Sequence, residues 1–179
     1  MTEVLRDHQR RRVYAWEERF VAPRDPSFVA FAQAQGVVDA IWADLGLRFP
    51  PKVVRLPRQA RTTIADATRL LIRLSDTTSS WCLLHELAHA MSSTHEGGSD
   101  GHGPRFMGLY AQLLILYLRV PPDALGRSLH EADIEVDMHA RPVFLNDQPT
   151  GRTPVSTSTP TAPSHSPRRH DKDRYRQIE

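Results

Sequence analysis

The chain has 179 residues, 40% of them apolar and 25% charged, with 23 Lys and Arg against 21 Asp and Glu for a formal net charge of +2. That is enough apolar material for one modest core. So small a basic excess argues against a protein dedicated to nucleic acid or to a membrane surface, though not against a local patch. The single cysteine, Cys82, excludes an internal disulfide framework and any zinc site built from several cysteines. Residues 1–12 are charged and have no apolar stretch of the signal-peptide kind. The longest apolar-rich run, 109–118, is too short to span a bilayer. The expected setting is the cytoplasm.

Residues 2–20 carry Val4, Leu5, Val13, Trp16 and Phe20 at near-helical spacing and predict a helix that Pro23 and Pro26 stop. Ser27 is placed to cap a second helix bearing Phe28, Phe31, Val37, Val38, Ile41, Trp42 and Leu45, ended by Pro50 and Pro51. Segments 52–56 and 67–74 are short and β-branched or Leu-rich, and predict strands of a small antiparallel sheet. A polar cluster at 76–80 reads as the cap of an apolar helix over 81–93. A Gly-rich loop, 96–103, follows. Pro104 suits the first turn of the next helix, running to about Arg119. That helix is apolar nearly all round, which places it centrally in the core. Residues 123–130 predict a short last helix, and 131–147 give no clear reading. The order of elements is that of an α+β fold.

Composition changes near residue 149. Residues 149–167 hold five Pro and nine Ser or Thr among 19, with Val155 the one apolar side chain larger than Ala. Such a segment buries too little surface to offset the entropy of ordering. The expected organisation is a domain over 1–148 and a disordered, Pro/Ser/Thr-rich and basic tail over 149–179. Residues 152–179 carry six basic and three acidic groups, which leaves 1–151 at −1, so the basic excess belongs to the tail. A tail of this kind solubilises the chain or tethers it weakly to nucleic acid or a partner.

The chemistry lies in His85-Glu86-Leu87-Ala88-His89, an HExxH motif within the apolar helix over 81–93. On a helix, positions i and i+4 share a face one turn apart, so both imidazoles can grip one metal ion. Glu86 then lies beside the metal, where its carboxylate can take a proton from an activated water. A catalytic zinc needs a third protein ligand and an open position. His95 completes an HExxH-x5-H spacing, but Ser92 stands where that arrangement needs a glycine to leave the helix abruptly. His102 lies beyond three glycines that let the chain fold back, just ahead of a rigid helix. Glu131 or Glu135 could serve from a later helix.

Other residues have weaker claims. Cys82 could add a ligand or pack as a small apolar residue. Asp100 could orient His102 or belong to the loop. Tyr110 could donate to an oxyanion or pack in the core. Glu131, Asp133, Glu135 and Asp137 read as a solvated face.

HELAHA followed by GHGPRF resembles the SprT-like zincins, whose HExxH helix is followed by a loop His-Gly and a helix bearing an aromatic residue, here Phe106. The likeness is closer to a family of metallohydrolases from actinobacteria and their phages. Its members join HELAH and HGPxF to an N-terminal Arg-Asp-x-Gln-x-x-x-Val-Tyr stretch, here Arg6-Asp7-His8-Gln9 leading to Val13-Tyr14. The match spans roughly residues 5–120. It implies a zincin-like fold, Zn2+ held by His85, His89 and His102, and Glu86 as the catalytic base. The expected function is a zinc-dependent metallohydrolase, a metallopeptidase acting on a protein or peptide. Its rivals are a non-catalytic, metal-stabilised interaction module and a SprT-like protease acting on DNA-bound proteins.

Overall fold

The computed structural model describes residues 7–57 and 65–145. The predicted tail and the boundary at 148 lie outside the described residues, as does the start of the predicted first helix. Helix α1 (Arg10–Trp16) runs without a break into a π-helical turn, Glu17–Val21, and a 3-10 turn, Ala22–Arg24. It turns Val13, Trp16 and Val21 into the core and leaves most of its charges in water. The helical stretch thus runs past the predicted end, with Pro23 in its last turn. Proline is tolerated early in such a turn because its missing N–H has no partner to lose.

Strand β1 (Phe28–Ala30) leads directly into helix α2 (Phe31–Asp44). Ser27 therefore does not cap a helix that contains Phe28, as its position implied. Phe28, Val29 and Ala30 instead pair antiparallel with Ser79, Thr78 and Thr77. The polar cluster at 76–80 is accordingly a strand, β5 (Thr77–Ser79), and no side chain caps the helix after it. Each segment finds its partner far away in the chain, and long-range pairing overrides local propensity.

Strands β2 (Lys52–Arg55), β3 (Ala65–Ala67) and β4 (Leu71–Leu74) form a sheet in the order β2-β4-β3. β3 pairs antiparallel with β4, but β2 pairs parallel to it, so the sheet is mixed rather than antiparallel throughout. The predicted strand over 67–74 is split by a turn, in which Thr68 N–H donates to Leu71 O at 2.8 Å. The sheet turns Val53, Ile72 and Leu74 toward the core.

Helix α3 (Ser80–Ser92) packs against α4 (Pro104–Tyr117) and against β3 and β4. As its composition requires, α4 is central and buries Phe106, Met107, Leu109, Tyr110, Leu113 and Leu114. Each such large apolar side chain contributes about 1.5–3 kcal/mol on burial. Helix α5 (Pro122–Glu131) follows, and the chain returns along α4 in irregular form. Gln112 Nε2 donates to Met138 O at 3.2 Å and Ala140 O at 3.0 Å, and Asp137 N donates to Pro104 O at 2.9 Å. Gly108 makes this approach possible, because a Cβ there would overlap the Asp137 carbonyl. No described helix is long and apolar enough to cross a membrane.

Candidate metal centre

His85, His89 and His102 come together, with one ring nitrogen from each lying within 4.8 Å of the others. His85 and His89 share a face of α3 by their i, i+4 spacing, and their Nε2 atoms are 3.1 Å apart. The chain leaves α3 after Ser92, crosses the Gly-rich loop and delivers His102 just before α4, with its Nε2 3.3 Å from that of His85. Tetrahedral zinc with Zn–N near 2.0–2.1 Å sets its nitrogens about 3.3 Å apart. Phe106, fully buried in the first turn of α4, backs all three rings, stacked on His89 at 4.2 Å and edge-on to His85 and His102 at 4.9 Å.

Two carboxylates fix which nitrogens face inward. Glu17, in the π-helical turn and 2% exposed, lies 2.6 Å from His85 Nδ1. Asp7 Oδ2 lies 2.6 Å from His102 Nδ1. An ionised carboxylate only accepts, so each Nδ1 carries the hydrogen and each Nε2 is left with a lone pair. Those nitrogens converge in a desolvated pocket, where neutral rings repel one another and a shared proton or a metal cation relieves the repulsion. Burial holds His89 well below the usual imidazole pKa, reinforced by the two neighbouring imidazoles and Arg10. Burial also lowers His102, against Asp7. For His85, burial acts downward too, but Glu17 and Glu86 together outweigh it and the pKa is raised. The donor set fits a metal cation.

Glu86 is buried beside His85, and its Oε2 has no hydrogen-bond partner. Burial pushes its carboxyl up to about 7, with His85 acting downward and Asp66 and Glu17 upward. A cation among the imidazoles would draw it back down. A carboxylate with a free oxygen can accept a proton and return it.

The remaining candidates sort clearly. His95 is exposed in the turn after α3, and Glu131 and Glu135 are exposed. None of them joins the cluster among the described residues. Cys82 also stands outside it, and burial, with Glu86 and Glu17 nearby, pushes its thiol up to about 12. Tyr110 is fully buried and its hydroxyl donates to Trp81 O at 3.4 Å, so it packs in the core. Asp100 does not orient His102. Its Oδ2 accepts from the Arg105 and Phe106 amides at 2.9 and 3.4 Å and so caps α4.

The N-terminal stretch supplies residues that sequence reasoning gave no role. Besides Asp7, Gln9 is 6% exposed and bridges two backbones: its Nε2 donates to His102 O at 3.1 Å, and its Oε1 accepts from Glu135 N at 2.6 Å. Tyr14 sets its ring 5.0 Å from that of His102 and 5.9 Å from that of His85. Gly101, at φ +62°, leaves room for the Asp7 carboxylate, which a Cβ would meet at 2.9 Å. The available signal was the Arg-Asp-x-Gln-x-x-x-Val-Tyr stretch itself, whose Asp, Gln, Val and Tyr all point to the site or the core. Comparison with protein-family models, with curated proteins and with solved structures finds no match for this chain.

Proposed function

We propose that the protein is a zinc-dependent hydrolase of amide bonds, a metallopeptidase, with His85, His89 and His102 as ligands and Glu86 as catalytic acid and base. One observation carries this reading: ring nitrogens of His85, His89 and His102 converge, and the helix that holds two of them also holds Glu86, a buried carboxylate with an unpartnered oxygen. An all-imidazole set suits zinc, whereas magnesium and calcium take oxygen ligands. Structural zinc sites use four protein ligands and catalytic ones three. The cluster offers three among the described residues, and His89 is only half-buried, which leaves an approach from solvent.

Zinc bound there supplies Lewis acidity, polarising a carbonyl and acidifying a water. Glu86 would take a proton from a water attacking the amide carbon and return it to the leaving amine as the C–N bond breaks. Glu17 and Asp7 keep their imidazoles in the Nδ1–H form. Phe106 and the α4 core keep water from the back of the rings. The resemblance to SprT-like zincins supports the same assignment of ligands and base.

Glu86→Gln tests the reading. The variant should retain one zinc per chain and lose about 10²–10⁴-fold in hydrolysis of a mixed quenched-fluorescence peptide pool. Undiminished hydrolysis would remove Glu86 from the mechanism.

A further inference from the structure

We propose that Arg10 binds a carboxylate of the substrate, so that the enzyme selects peptides with an acidic side chain or a free C-terminal carboxylate near the bond it cuts. The inference rests on the zinc-hydrolase reading and names its substrate class.

Arg10, Tyr14 and Glu17 stand at i, i+4 and i+7 on α1 and its π-helical continuation, and so form one stripe. That stripe runs from the inside of the site to its outside. Glu17 is 2% exposed and holds His85, whereas Tyr14 is 39% exposed and lies against the His102 ring. Arg10 is exposed, with its guanidinium carbon 5.4 Å from the centre of the Tyr14 ring. Of the acids around the centre, Glu17 is engaged with His85, Asp7 with His102 and Asp66 with Arg73 at 2.6 Å, and Glu86 is buried. Of its neighbours on α1, Arg12 pairs with Asp133 at 2.6 Å. Among the described residues no acid pairs with Arg10. A planar cation held over an aromatic ring at the rim of a metal centre is suited to take a carboxylate in two parallel hydrogen bonds.

The test uses the full chain loaded with zinc, its metal content measured first, and two pairs of zinc-chelating hydroxamates followed by calorimetry. Glutamic acid α-hydroxamate against glutamine α-hydroxamate probes an acidic side chain. Malonohydroxamoyl-alanine against its alaninamide probes a chain end. The wild type should prefer the acid member of one pair by about tenfold or more, and that pair identifies the source of the carboxylate. Arg10→Gln should bring the preference within about twofold, and Arg10→Lys should keep an intermediate value. A zinc-loaded wild type without preference in either pair, or an Arg10→Gln variant that keeps it, overturns the role of Arg10 alone. A wild type that takes up no zinc, or takes it up and binds no hydroxamate, overturns the hydrolase reading and this inference with it.

Discussion

Helix α3 and the N-terminal segment 7–21 meet at the same three imidazoles and contribute by different routes. α3 supplies two of the donors and Glu86 through spacing along a single helix, within a motif of five residues. The N-terminal segment supplies no donor to the cluster. It supplies the carboxylates, the amide bridge and the aromatic wall that hold donors from elsewhere, across separations of 68 residues for Glu17–His85 and 95 for Asp7–His102. The contrast shows that a local motif provides the reactive atoms, while their orientation comes from a distant piece of chain that local pattern does not mark.

Four measurements would break or sharpen that contrast. The largest effect is expected at the carboxylates. On the proposed function, Glu17→Gln should weaken zinc affinity about 10–100-fold in a chelator competition assay. Asp7→Asn should cost less, because the Asp7 side chain is 26% exposed and that of Glu17 only 3%. Equal affinity in all three proteins would mean that α3 needs no outside support. A smaller effect is expected at Gln9. Gln9→Ala leaves the Glu135 amide and the His102 carbonyl without their partner and should lower unfolding stability by about 1–3 kcal/mol in urea. The smallest effect on the centre is expected at Cys82. Cys82→Ser should retain zinc in full. The native thiol, held at about 12 by burial, should also react with iodoacetamide at pH 8 roughly a thousandfold more slowly than in the unfolded chain. The sign follows from the direction of the shift: a raised thiol pKa leaves less thiolate at any pH below it.

The α+β class, α3, α4 and α5 were legible because each rests on a local signal: an apolar period, a proline at a first turn, a loop rich in glycine. His85, Glu86 and His89 were legible because one helix holds them. His102 could be favoured over His95 on loop chemistry, and the structure brings it to the other two. What escaped was non-local. Phe28 reads as helical until its pairing with Ser79 is known, and the parallel register of β2 on β4 has no signature in either strand. The carboxylate on His102 is not Asp100, two residues away, but Asp7, on the far side of the sequence. Glu17 looks like one more surface charge of a helix. Only the π-helical turn, a local departure that often marks functional positions, sets it apart, and that turn is visible in the structure alone.

The third imidazole decides the metal centre most directly. Zinc content should be measured on purified wild type beside His102→Ala and His95→Ala. The expected result is one zinc per chain in the wild type and in His95→Ala, and substoichiometric, readily chelated zinc in His102→Ala. Zinc retained in His102→Ala, or lost in His95→Ala, would contradict it.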